Sequence, residues 1–131
     1  MESLVVISKV KKFIKDHGDC NTSSNFFEPL NEDIVKACRE AANHAQKIGR
    51  KTVMGKDFNL YVETASVEET LVVTSKVKKL IKDEFGLSTS SAAIDQLTIR
   101  VQTICKKAIE NAKNDKRKTV MDRDFSAPTT L

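Results

Sequence analysis

The chain has 131 residues and a mass of 14.6 kDa, enough for one compact core or for two half-units that complete each other, but short for two self-sufficient domains. Its 40% hydrophobic and 31% charged residues, with 4 Gly, 2 Pro and no Trp, exclude a disordered or β-rich chain and point to a mostly helical protein. A net charge of +4 permits an anionic partner, yet the basic excess is mild and spread over both halves, so any basic surface must come from folding.

In chain order, a β-branched stretch, Val5, Val6 and Ile7, leads into a short helix expected to start near Ser8, a residue suited to N-capping. Val10, Phe13 and Ile14 share one face of that helix, and Lys11, Lys12 and Lys15 fall on the other, so its free face is basic. After the polar turn "HGDCNTSS" a short opening helix is expected near Ser23 to Phe27. A long helix follows, with Pro29 in its first turn and Leu30, Ile34, Ala37, Cys38, Ala41, Ala45 and Ile48 at steps of three and four. "RKTVM" at 50 to 54 then reads as a short extended loop, and "GKDFNLYV" as a third helix of one or two turns. Residues 63–70, acidic and without apolar periodicity, read as a linker.

The remainder repeats this order. Shifting the sequence on itself by 67 positions lays "LVVISKVKKFIKD" on "LVVTSKVKKLIKD", "TSS" on "TSS" and "RKTVM" on "RKTVM" without a gap. The chain is therefore a tandem duplication, with a first unit at 1–62 and a second at 71–131. The second unit has a helix start near Ser75, a basic face with Lys78, Lys79 and Lys82, and a long helix carrying Leu97, Val101, Ile104, Cys105, Ala108 and Ala112. Its third helix is stopped early by Pro128. One apolar stripe on a helix roughly 30 Å long cannot be covered by a single short partner, so each unit is expected to complete the core of the other.

A short helix, a loop, a long helix, an "RKTV" loop and a short helix opened by Asp resembles the histone fold. Two copies in one chain look like the single-chain histone pseudo-dimers of bacteria and archaea, and the resemblance covers nearly the whole chain. It implies an all-α fold in which two tandem histone folds interlock as an intramolecular handshake. It also implies a histone-like architectural protein of the nucleoid that binds double-stranded DNA without sequence preference. Arg50 with Asp57, and Arg117 with Asp124, match a structural arginine–aspartate clamp. Lys51, Thr52, Lys118 and Thr119 match loop positions that face DNA phosphates. Beside them stand Lys56 and Arg123 and the helix-face runs Lys9, Lys11, Lys12, Lys15 and Lys76, Lys78, Lys79, Lys82, whose charges suit displacement of condensed counterions.

Two departures limit the resemblance. The first loops, "DHGDCNT" and "DEFGLST", are acidic and lack the arginine that enters the minor groove in wrapping histones. Lys47 and Asn114 stand where archaeal histones carry a histidine at the contact between dimers. Self-association of pseudo-dimers is thus a further partner class, but not by that route. A protein-interaction module built on the same fold, without a primary DNA role, is the competing reading and is favoured by the acidic loops.

No apolar run approaches the roughly 20 residues that span a bilayer and no leader opens the chain, so a cytoplasmic protein without a membrane partner is expected. Three irregularly spaced cysteines suit a reducing compartment, with Cys38 and Cys105 read as small core residues. His17 with Cys20 and Cys38 with His44 make no four-ligand zinc pattern, and neither histidine has a nucleophile or carboxylate at a known catalytic spacing. No enzyme activity, cofactor, metal or small-molecule substrate is expected.

Overall fold

In the computed structural model, which describes residues 3–62 and 67–128, Val5 and Val72 meet in an antiparallel bridge. The Val6 N–H donates to the Leu71 carbonyl at 2.9 Å, and the Val73 N–H to the Leu4 carbonyl at 2.7 Å. These bonds hold Val6 and Val73 extended as the residues that precede helices α1 (Ile7–Gly18) and α3 (Thr74–Phe85). Ser8 and Ser75 consequently lie inside the first turns and cap nothing, a correction to their expected role: backbone pairing between the two halves, not a serine side chain, sets where the helices begin.

A 3₁₀ turn at Ser24–Phe26 precedes α2 (Phe27–Lys47), and α4 runs over Ser91–Asn114. Pro29 stands in the first turn of α2, where a missing N–H costs nothing. The second long helix is capped by Ser90, whose hydroxyl accepts from the Ala93 N–H at 3.1 Å. Four two-residue strands connect the ends: β1 (Asn21–Thr22), β2 (Thr52–Val53), β3 (Ser88–Thr89) and β4 (Thr119–Val120). They pair in parallel and only crosswise, β1 with β4 and β2 with β3, in the registers Asn21 to Thr119 and Thr52 to Ser88.

The helices follow the same rule: α1 packs on α4 and α3 on α2, while α2 and α4 pack on each other. Val10 and Ile14 from α1, Val77 and Ile81 from α3, and Ile34, Cys38, Ala41, Val101, Cys105 and Ala108 from the long helices are buried in one continuous apolar cluster. At the α1·α4 crossing a Cβ on Gly18 would overlap Ile109 Cγ2. Gly18→Ala is therefore expected to destabilise the protein by roughly 1–3 kcal/mol through overpacking, although alanine is the better helix former. The same substitution in an Ile109→Ala background is expected to cost less, a difference that thermal melting resolves.

The expected third helix of the first unit is absent from the described residues. Gly55–Asp57 and Asp122–Asp124 form single 3₁₀ turns, after which Phe58 and Phe125 return to extended backbone. Phe58 is buried, and beyond it Gln96 on α4 takes the Val62 N–H at 3.0 Å and donates to the Val62 carbonyl. Those tertiary bonds hold the chain out of a helix. Of the expected linker, 63–66 lie outside the described residues; within 67–70, Glu69 reaches Lys9 at 3.6 Å.

Candidate nucleic-acid interface

Each long helix ends in the same backbone device. Gly49, at φ 77°, donates to the Gln46 carbonyl while the Arg50 N–H reaches Ala45, and Lys116, at φ 57°, and Arg117 repeat the pattern on Lys113 and Ala112. This 6→1, 5→2 pairing satisfies the last carbonyls and turns the chain sharply, so that Arg50 and Arg117 leave the helix ends pointing across the loops they begin.

Arg50 Nη1 donates to Asp57 Oδ2 at 2.7 Å and to the Thr52 carbonyl at 3.2 Å, and its Nη2 bonds Asp57 Oδ1. The same carboxylate accepts the Met54 N–H at 2.7 Å and contacts His44 Nδ1 at 2.8 Å. Burial pushes the Asp57 carboxyl up, but the bonds from Arg50, Met54 and His44 together outweigh it and hold it at about 2. In the second unit Arg117 bonds Asp124 at 2.9 and 2.6 Å, the Thr119 carbonyl at 3.0 Å and Asp115 at 2.7 Å. Bonding to Arg117 holds Asp124 below its ordinary range. Each clamp spans β2 or β4 and fixes its loop as a unit.

The His44 contact is not legible in the sequence, because thirteen residues separate His44 from Asp57 and no helical or strand period links them. The equivalent residue, Asn111, donates to the Asp124 carbonyl at 3.0 Å. A polar residue in the last two turns of both long helices was the available signal.

The clamped loops present basic side chains. Lys51 and Lys118 are exposed while their carbonyls accept from Ser88 and Asn21 of the partner strands, and Thr52 and Thr119 are half-buried beside them. Lys56 and Arg123 are exposed on the 3₁₀ turns, though Arg123 reaches Asp115 at 3.3 Å. Along the molecule the order is one loop pair, α1, α3 and the other loop pair, since the bridge at Val5 and Val72 brings the starts of α1 and α3 together.

The helix-face lysines are less uniform than their spacing suggests. Lys9, Lys11, Lys12, Lys15, Lys78, Lys79 and Lys82 are exposed, whereas Lys76 is half-buried. Lys12 pairs with Asp16 at 3.0 Å, Lys15 with Asp19 at 3.1 Å and Lys79 with Asp83 at 2.5 Å. Lys11, Lys78, Lys82, Lys51, Lys56 and Lys118 make no ion pair among the described residues. Exposed ion pairs of this kind are worth little, so a polyanion can displace them at modest cost.

Over 92% of its length, and 89% of the other chain's, the protein is similar to the crystal structure of the histone from Methanopyrus kandleri, with 22% identity and a TM-score of 0.63. The fold is the histone fold. No protein-family model matches the chain, and no curated protein matches it in sequence. Among the described residues no group of three or more His, Cys, Asp or Glu could hold a metal ion, and no helix among them is long and apolar enough to cross a membrane. Cys20, Cys38 and Cys105 are free and buried, and burial pushes the Cys38 and Cys105 thiols up to about 12, which makes them poor nucleophiles.

Proposed function

We propose that the chain is an intramolecular handshake pseudo-dimer, a first unit at 1–62 joined through 63–70 to a second at 71–131, which binds duplex DNA without sequence preference. The observation that carries this reading is the pair of clamped loops, each presenting Lys and Thr from one half beside a strand of the other. Two like loops at opposite ends of a two-fold body suit two successive stretches of phosphate backbone. Lys11, Lys78, Lys82 and Lys56 add charge between and beside them. The protein bends, coats or bridges DNA as an architectural component of the nucleoid, in the cytoplasm, and has no catalytic role. The similar structure from Methanopyrus kandleri is that of a histone, which supports an architectural role of this kind. Contact between copies belongs to the same reading and is read as cooperativity in the binding curve.

Fluorescence anisotropy with random-sequence duplex at several salt concentrations tests it. About five phosphate contacts give a slope of log K against log salt near −5, with little dependence on sequence. Lys51→Glu with Lys118→Glu is expected to make the slope shallower by about 2 and to leave the melting temperature nearly unchanged, because both side chains are exposed. Absence of binding at low salt, or a flat salt dependence, would favour the protein-interaction reading. The carboxylates that neutralise Lys12, Lys15 and Lys79 are the observation on that side.

A further inference from the structure

Asp33 on α2 and Arg100 on α4 form a two-pronged ion pair, Arg100 Nε to Asp33 Oδ2 at 2.6 Å and Nη2 to Oδ1 at 2.9 Å, with little of either side chain exposed. They are 67 residues apart, the step of the duplication, so each is the other's equivalent. Val5 and Val72 are likewise equivalent and likewise in contact, and the reciprocal bonds Val6 to Leu71 and Val73 to Leu4 are related by the same step. A position that meets its own equivalent lies on the local two-fold axis. In an assembly of two identical halves such a position meets itself, which here would set Asp against Asp or Arg against Arg. Only unlike halves allow opposite charges there.

The α1·α4 crossing varies in the same sense. Gly18 leaves room for Ile109, and the residues equivalent to these two are Phe85 and Ala42. The large residue has thus moved from the long helix to the short one. Two first halves would set Gly18 against Ala42, leaving a void, and two second halves would set Phe85 against Ile109, an excess of volume. On the surface, Arg39 Nε and Nη2 bond Glu84 at 2.9 and 3.0 Å across α2 and α3. A first half paired with its own kind would offer His17 in place of Glu84.

We propose that these positions form a pairing code: each half selects a half of the other type, normally the one in its own chain, and rejects a second copy of itself. The axial pair Asp33–Arg100 carries the charge component, and the exchange of bulk between Gly18/Ile109 and Phe85/Ala42 the steric one. The code governs which halves join and is independent of nucleic-acid binding.

Charge exchange in the full-length chain tests it. Asp33→Arg places two arginines on the axis and Arg100→Asp two acids. Each is expected to lower the melting temperature by about 10 °C or more, and further than Asp33→Ala or Arg100→Ala. The double variant Asp33→Arg, Arg100→Asp is expected to return to within about 5 °C of the parent. The two single variants are then refolded together at about 1 mM, a concentration comparable with that of linked halves. They are expected to exchange partners, because the first half of the Asp33→Arg chain then meets the second half of the Arg100→Asp chain with opposite charges on the axis, and the two unaltered halves restore the parent pair. Light scattering reads this as a species of twice 14.6 kDa, absent when either variant is refolded alone. Reversal no worse than alanine replacement, a double variant as unstable as its parents, or a mixture that stays single-chain would each overturn the proposal.

Discussion

A chain ending at Val62 is expected to show no cooperative melting transition and a largely disordered far-ultraviolet circular dichroism spectrum, at micromolar and at millimolar concentration alike. The apolar face of α1, with Val10 and Ile14, packs chiefly on α4 of the other half, and the buried residues of α2 meet α3 and α4. Without the second half β1 and β2 lose their ladder partners, and the Arg50 loop loses the backbone bonds from Ser88 and Ser90. What remains is about sixty residues with two amphipathic helices and nothing between them, too little buried apolar surface to offset backbone entropy of about 1–2 kcal/mol per ordered residue. Pairing of two such fragments would place Asp33 against Asp33, so concentration is not expected to rescue the fold. A well-folded monomeric fragment would contradict the crosswise core, and a well-folded dimer of fragments would contradict the pairing code.

The second large effect is expected at Arg50. Arg50→Ala leaves Asp57, whose side chain is fully buried, with only the Met54 N–H and His44, and removing one partner of such a pair costs roughly 3 kcal/mol at pH 7. In a domain of this size that is a fall of about 10 °C in melting temperature. The pH dependence follows from the direction of the shift. The carboxyl is held at about 2, below its ordinary 3.8, so the clamp contributes fully above the ordinary value and is lost as pH falls toward 2. Melting curves of parent and variant are expected to lie far apart at pH 7 and to converge between about pH 4 and pH 2. A gap that stays constant over this range would assign the loss to packing of the arginine stem instead of the ion pair. DNA affinity measured well below the melting temperature is expected to fall less than for Lys51→Glu with Lys118→Glu, since the clamp shapes the loop while the lysines carry its free charge.

Much of this was open to reading because its causes are local. The helical steps of Val10, Phe13 and Ile14, and of Leu30, Ile34, Ala37 and Ala41, report which side of each helix is apolar, and Pro29 and Gly49 mark where α2 opens and closes. The lysine faces are visible for the same reason, but of their partial neutralisation the sequence shows only the general acidity of the first loops. Lys15 pairs with Asp19 because Asp19 closes α1 in the left-handed conformation, and the equivalent of Asp19 is Gly86, which cannot do the same. The two loop pairs are therefore unequal in charge, a difference that the near-identity of the repeats conceals.

The amino-acid order alone determined the duplication, the four helices with their apolar stripes, and the two basic loops, because each depends on residues within a few turns of one another. Only the tertiary structure decided that the pairing of Val5 with Val72, not capping by Ser8 and Ser75, sets where the short helices start, that a single 3₁₀ turn replaces the third helix, that His44 reaches Asp57, and that Asp33 faces Arg100. Those outcomes join residues through space, most of them across the two halves, where no helical or strand period operates and where desolvation, ladder pairing and volume matching set the energy.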